Sequence, residues 1–171
     1  MKNITTKKLV LTALFMALTV VATMFIRVPL LLGYVNLGDA FVLLSVFILG
    51  PVYGTIAAGV GSALADLFGY ITYAPGTLVI KTAMAIVAYL LYKLLLKTTK
   101  KALIAEVVGG VAGAIIMAFG YFFYETLFFE TATVAIVNVP WNLLQGAIGV
   151  IISTIVMRIL LATKIIDKLQ N

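Results

Sequence analysis

The chain contains no cysteine and no histidine among its 171 residues. It therefore has no thiol nucleophile, no imidazole base and none of the metal sites built from those side chains. It also lacks a G-x-x-x-x-G-K-[ST] phosphate-binding loop and the clustered aspartates that membrane alcohol-phosphotransferases need. We expect no enzyme activity, no ATP hydrolysis, no cofactor and no bound metal in this chain.

Charged residues are scarce as well. They make up 11% of the chain, whereas a soluble domain is about a quarter charged. Hydrophobic residues make up 64%, and the mean hydropathy is +1.21. A soluble protein of this composition would lack the polar residues to cover its surface. The composition predicts an integral membrane protein with an all-α fold, organised as one transmembrane domain over residues 1–171.

Six apolar segments are candidates to cross a bilayer, which takes about 20 residues of helix. They are Leu9–Ile26, Ala40–Leu49, Thr55–Phe68, Pro75–Leu96, Ala102–Tyr124 and Trp141–Leu161. The second and third are short and are joined by a tight turn at Gly50-Pro51, so one re-entrant hairpin is the alternative to two spans. We favour two spans and predict six transmembrane helices.

The net charge of +6 is concentrated at three places: the first positions, the loop after the fourth segment, and the C-terminal end. Six spans put all three on one side of the membrane. Basic residues mark the cytoplasmic side by the positive-inside rule, so we predict that both termini are cytoplasmic. The basic residues are thus explained by insertion into the lipid bilayer, and we expect no nucleic acid partner.

Polar and aromatic residues at membrane depth are concentrated toward the extracytoplasmic side. Apolar walls with a few convergent polar groups are typical of a small-ligand pocket, in which aromatic rings would stack on a planar ligand. We predict a substrate-binding site formed by ten residues, which are Lys81, Asn142, Gln145, Tyr121, Glu125, Asn138, Tyr34, Asn36, Asp39 and Tyr73.

Lys81 is the most unusual of these residues, because a lysine at the centre of a spanning helix costs about 2.5–3.5 kcal/mol. Three alternatives are open for its side chain: it binds the ligand, it forms an ion pair with Glu125 or Asp66, or it extends to the outer interface. Asn142 and Gln145 are three residues apart and share a helix face. They either bind the ligand or form hydrogen bonds between helices.

Two other stretches suggest moving or docking parts. The loop over residues 28–39 is apolar but broken by Pro29 and two glycines, as in a lid over a cavity or a re-entrant segment. Asp39 at its end also suits the N-cap of the next helix. In the first segment, Ala13 and Ala17 form a small-residue stripe that lets another helix approach closely, either within this chain or from a partner.

Together these features resemble the substrate-binding S component of energy-coupling factor (ECF) vitamin transporters, over nearly the whole chain. The resemblance rests on the six-span plan, Ala13-x-x-x-Ala17, the apolar loop, Asn36-Leu37-Gly38-Asp39, and the Gly50-Pro51-Val52-Tyr53-Gly54 turn followed by Gly59-x-Gly61-x-x-x-x-Asp66. The nearest subgroup resembles the S components for pyridoxine or hydroxymethylpyrimidine, within a broader group that includes riboflavin carriers.

The resemblance implies a high-affinity vitamin-binding subunit in the bacterial cell membrane, with no catalysis of its own. It implies docking through Ala13 and Ala17 on a membrane T component, which sits on two ATP-binding-cassette ATPases. The subunit would topple in the membrane to deliver its vitamin inward. It also implies a gate over the pocket, formed by Leu30, Leu31, Leu32, Gly33, Tyr34 and Val35.

Two other classes of function are compatible with the same pattern. A structural or assembly subunit would use the polar residues only to hold helices together and would bind no small molecule. A stand-alone carrier or channel would transport its solute in liposomes without any partner.

Overall fold

The computed structural model describes residues 2–29, 34–129, 132–164 and residue 166. Most of these residues are helical. Five of the helices they form are long and apolar enough to cross a membrane. The prediction of an all-α membrane protein is confirmed. In chain order the elements are α1 (Lys2–Phe25), β1 (Arg27–Pro29), β2 (Tyr34–Asn36), α2 (Gly38–Leu67), α3 (Ala74–Thr99), α4 (Ala102–Phe128) and α5 (Ala132–Ala162).

The number of helices differs from the prediction, because five long helices stand in the described chain where six were expected. The difference lies in α2, which joins the predicted second and third segments in one element of 30 residues. Gly50 interrupts this element with φ +81° and ψ −172°, a backbone conformation that residues with a Cβ rarely adopt. Pro51 follows at once, and its missing N–H is tolerated where a helix begins.

The two parts of α2, residues 38–49 and 51–67, fold back against each other at Gly50; we call them the first and second legs. The Ser45 hydroxyl donates a hydrogen bond of 2.9 Å to the Gly54 carbonyl oxygen. A side chain at Gly54 would place its Cβ 2.5 Å from the Cα of Val46, so only glycine fits this crossing. The hairpin brings the two ends of α2, with Asp39 and Asp66, to the same end of the bundle.

The legs of α2 form the centre of the bundle and contact α1, α3 and α5, while α4 packs between α3 and α5. Their side chains Val42, Leu43 and Val46 are fully buried, together with Met84 of α3. Glycines allow close helix packing here as they do in many membrane proteins: a Cβ at Gly109 of α4 would lie 2.6 Å from the Ala88 carbonyl of α3.

The predicted outer loop begins and ends in a short antiparallel ribbon. Strands β1 and β2 pair with Arg27 opposite Asn36, Val28 opposite Val35, and Pro29 opposite Tyr34. Of the predicted gate, Tyr34 and Val35 lie in β2, whereas residues 30–33 lie outside the described part of the chain. The ribbon therefore fixes both ends of the gate at the end of the bundle that carries Asp39 and Asp66.

The small-residue stripe of α1 lies on its outer face. Ala13 and Ala17 are exposed, as are Leu14 and Val21 on the same side of the helix. The opposite face carries the buried residues of α1, which pack against α2. Of the two alternatives from the sequence, packing within this chain therefore does not account for these alanines.

Candidate functional site

A cavity opens between the helices at the end of the bundle that carries the ribbon. Together with its open mouth it contains about 470 Å³ of space between atoms. Twelve residues form its walls, and they are Thr23, Tyr34, Asn36, Ser62, Asp66, Tyr73, Thr77, Lys81, Tyr121, Glu125, Asn142 and Gln145. Every helix contributes at least one of them.

Eight of the ten predicted substrate residues lie in these walls. The other two, Asp39 and Asn138, are buried directly behind them and bind wall residues through hydrogen bonds. The structure thus brings the predicted set together at one place. Their contact with a ligand stays a prediction.

Lys81 forms a buried ion pair with Asp39, in which its ammonium donates to Oδ1. The two side chains are 3% and 1% exposed, so Lys81 does not extend to the outer interface. The alternative of an ion pair with Glu125 or Asp66 is therefore wrong, because the partner is Asp39. The cause is the α2 hairpin, which places the first turn of the first leg, with Asp39, against α3. Asp39 accordingly does not cap α2, whose N-cap position is occupied by Leu37.

Other groups complete the surroundings of the Lys81 ammonium. Its Nζ lies 2.8 Å from the Met117 sulfur and 5.6 Å from the centroid of the Tyr121 ring, within the range of a cation–π interaction. Two charges removed from water cost several kcal/mol each unless their remaining donors and acceptors are satisfied. These contacts, with the hydrogen bond to Asp39 described next, reduce that penalty.

Gln145 connects this ion pair to the ribbon. Its amide nitrogen donates a hydrogen bond of 2.7 Å to Asp39 Oδ2, and its Oε1 accepts one of 2.8 Å from the backbone N–H of Asn36. The Asn36 side chain in turn accepts from the N–H of Gly38 at 2.7 Å. A short chain of hydrogen bonds therefore runs from strand β2 to the buried charges at the bottom of the cavity.

Two carboxylates face the cavity, and each accepts a hydrogen bond from a tyrosine. The Tyr34 hydroxyl donates to Asp66, and the Tyr73 hydroxyl donates to Glu125 Oε1 at 3.4 Å. Burial raises the pKa of both tyrosines, and the neighbouring carboxylates raise it further. Both phenols therefore stay neutral donors across the physiological pH range. Asn138 adds a hydrogen bond of 3.1 Å to Glu125 Oε2.

Sequence reasoning left four wall residues out of the predicted site: Thr23, Ser62, Asp66 and Thr77. The sequence spacing could have indicated two of them. Ser62 lies four residues before Asp66, and Thr77 lies four residues before Lys81. Residues four apart share a helix face. Thr77 also exchanges a hydrogen bond of 2.9 Å with the Tyr121 hydroxyl.

Asn142 differs from its neighbours in the wall. Its side chain is only 6% exposed, yet within the described residues its amide makes no hydrogen bond. Since Asn142 lines the cavity, its amide can donate and accept hydrogen bonds with a molecule bound there. Asn142 is therefore the wall residue whose chemistry most directly calls for a ligand.

Comparison with known proteins identifies the family of this chain. The family model of the ECF-type riboflavin transporter S component matches residues 3–162. The chain belongs to this family. It is a family of transporter subunits rather than enzymes, and the chain is accordingly a multi-pass protein of the cell membrane.

Individual proteins are similar to this chain as well. A solved structure described as the S component of a bacterial ECF transporter superposes with a TM-score of 0.71, covering 93% of this chain and 98% of that one. At 20% sequence identity this similarity shows a shared fold. An uncharacterized protein of Pyrococcus woesei is 41% identical over 103 residues, which are 59% of this chain and 66% of that protein, just under two thirds of its length.

Proposed function

We propose that this protein is the vitamin-binding S component of an ECF importer and captures its vitamin in the cavity described above. The observation that carries the proposal is the cavity itself, with polar side chains from all five helices directed into one space beside the ribbon. Family membership supports the same function. The partners we propose are a membrane T component and two ATP-binding-cassette ATPases, because the chain has no nucleotide-binding loop of its own.

We further propose that the ligand offers hydrogen-bond donors rather than an anionic group. The cavity wall contains two carboxylates, Asp66 and Glu125, and one ammonium, which Asp39 already neutralises. A carboxylate or phosphate on the ligand would therefore meet net negative charge. Pyridoxine and hydroxymethylpyrimidine are planar and carry hydroxyl or amine donors, and they are the ligands we favour; riboflavin is next.

The co-purifying ligand tests this proposal most directly. We expect mass spectrometry of the purified protein to detect pyridoxine, hydroxymethylpyrimidine or riboflavin, and the same compound to raise the thermal unfolding temperature. A carboxylated vitamin such as biotin, added as a control, should leave it unchanged. If biotin stabilises the protein instead, the proposed charge preference is wrong.

The substitution Asn142→Ala is expected to weaken ligand binding at least about tenfold, which corresponds to 1.4 kcal/mol. Because the amide has no partner within the described chain, its removal should leave the thermal unfolding temperature of the free protein nearly unchanged. Titration calorimetry with the identified ligand measures the effect. Ser153→Ala, a buried change toward the other end of α5, is the control; equal affinity in both variants would contradict the assignment.

The two legs of α2 each cross the membrane in our proposal, so that the chain crosses six times and both termini are cytoplasmic. The hairpin at Gly50 and the presence of Asp39 and Asp66 at one end support this arrangement. A straight helix would separate residues 39 and 66 by about 40 Å at 1.5 Å per residue.

Cysteine labelling tests this topology, since the natural chain has no cysteine. Val52 is 63% exposed at the α2 turn, and Lys100 is exposed at the end of α3. We expect a membrane-impermeant maleimide to label Val52→Cys and Lys100→Cys only after the membrane is opened, and Phe129→Cys in intact cells. Labelling of Val52→Cys from outside would exclude two crossings by α2.

One observation favours a second function, a structural subunit without a ligand. Lys81, Asp39 and Gln145 bind one another and already connect α3, α2 and α5. A protein that used its polar residues only in this way would carry no small molecule after purification and would show no thermal shift with any vitamin. The ligand search above therefore distinguishes the two functions.

A further inference from the structure

A second cavity lies at the opposite end of the bundle, between α1, the turn of α2, and α3. It contains about 890 Å³ of space between atoms, including its wide mouth. Nine residues line it, and they are Lys8, Phe47, Ile48, Leu49, Gly50, Tyr89, Tyr92, Lys93 and Leu96. None of them takes part in the vitamin site, so this cavity needs an explanation of its own.

The charge of this second cavity is purely basic in the described part of the chain. Lys8 and Lys93 lie in its wall, and no carboxylate does. Among the described residues, Glu106 lies beside Tyr92 of this wall, and it forms an ion pair with Arg158. Within the described residues, the two ammonium groups therefore face a space whose wall has no carboxylate to neutralise them.

The two ammoniums are placed differently in the wall. Lys8 is half-buried, and its Nζ lies 5.7 Å from the centroid of the Tyr53 ring, a cation–π contact that orients it at the turn of α2. Lys93 is exposed on α3. The Lys8 ammonium is thus held beside the α2 turn, whereas the Lys93 side chain can approach an anion in the cavity from α3.

The rest of the wall combines hydroxyl groups with apolar surface. The Tyr89 hydroxyl lies 3.9 Å from the position a Cβ would occupy at Gly50, so this donor faces the turn of α2. The Tyr92 ring packs on Phe47 with centroids 4.8 Å apart, and Ile48, Leu49 and Leu96 supply further apolar surface. A ligand that fits this wall has an anionic head and an apolar body.

We propose that this second cavity binds the phosphate headgroup of an anionic lipid, with Lys8 and Lys93 as the charge partners and the apolar wall against the upper acyl chains. The cavity opens on the side that we propose to be cytoplasmic, where membranes present anionic lipids to basic juxtamembrane residues. The site is built around the α2 turn, so a bound lipid would stabilise the packing of this turn against α1 and α3.

The test uses the full-length protein in a zwitterionic detergent, titrated with dioleoylphosphatidylglycerol or dioleoylphosphatidylcholine and analysed by native mass spectrometry and thermal unfolding. We expect one tightly bound phosphatidylglycerol and a higher unfolding temperature with this lipid only. The double variant Lys8→Gln/Lys93→Gln should weaken this binding at least about tenfold, because each lysine near an anionic lipid contributes measurably to binding.

The matched control is Lys100→Gln/Lys101→Gln, which removes the same charge from exposed residues outside the cavity and should bind the lipid as the natural protein does. Equal loss in both variants would overturn the proposal in favour of a diffuse basic belt. Inorganic phosphate is the last arm: if it alone raises the unfolding temperature as much as the lipid, the ligand is a soluble anion and the lipid assignment is wrong. None of these measurements requires vitamin binding, so they fail or succeed independently of the proposed transport function.

Discussion

Either Ala13→Trp or Ala17→Trp is expected to abolish vitamin uptake while the affinity for the vitamin stays unchanged. Both alanines are exposed on the outer face of α1, and neither lines the proposed vitamin site. Helices associate in membranes mainly through close packing of small residues, because lipid supplies no hydrophobic driving force between them. An indole at the point of closest approach would hold a partner helix away.

The size of the effect follows from packing. Forcing extra side-chain volume into a well-packed contact costs about 1–3 kcal/mol, and a tryptophan in place of an alanine lies at or beyond the upper end. Complex formation with the T component should therefore fall by roughly two orders of magnitude. Pull-down of the complex and uptake by cells that co-express T component and ATPases measure the change.

Val111→Trp supplies the control, since Val111 is 45% exposed on α4 and places the same indole on a different lipid-facing surface. Uptake should persist in this variant. If uptake survives both alanine substitutions, the docking face lies elsewhere on the protein. If Val111→Trp abolishes uptake as well, the effect of tryptophan is general and says nothing about docking.

The sequence was sufficient to predict where polar residues meet but not how they pair. Lys81 and Gln145 lie near the starts of their predicted segments, and alternating crossings bring those starts to the same side of the membrane. Which carboxylate reaches Lys81 depends on the rotation of the α2 legs about their axes. These legs are apolar on nearly all faces, and so their sequence has no periodicity from which a rotation could be derived. Asp39 was consequently predicted as a ligand contact or helix cap, and its ion pair was missed.

The break in α2 could be predicted from the sequence, whereas the ribbon at the gate could not. The Gly50-Pro51 pair indicated a reversal, because glycine permits the positive φ and proline begins the next leg. The ribbon gave no such indication. Strands of three residues are too short for an alternating pattern, and the Pro29 that ends β1 suggested irregular backbone. Its pairing depends on tertiary contacts, such as the hydrogen bond from Asn36 to Gln145.

Lys81→Met is expected to destabilise the protein strongly and to weaken vitamin binding at least about tenfold. The substitution preserves side-chain volume but leaves Asp39 buried at 0% exposure with only the amide of Gln145 as a partner. Breaking a buried ion pair from one side costs about 3–5 kcal/mol, because a charge is left in the interior without compensation. Thermal unfolding in detergent should show this loss of stability directly. The control Lys97→Met, which changes an exposed lysine of the same helix outside both cavities, should leave the unfolding temperature unchanged.

The double variant Lys81→Met/Asp39→Asn separates the two roles of Lys81. It leaves no unpaired charge, and its asparagine oxygen still accepts from Gln145, so most of the lost stability should return. Binding should not return if the ammonium in the cavity wall contacts the vitamin. If the double variant recovers stability and affinity together, Lys81 acts only by holding α3 against α2, and it must be removed from the set of ligand contacts. Persistent weak binding in a protein of restored stability would indicate that the Lys81–Asp39 pair itself contacts the vitamin.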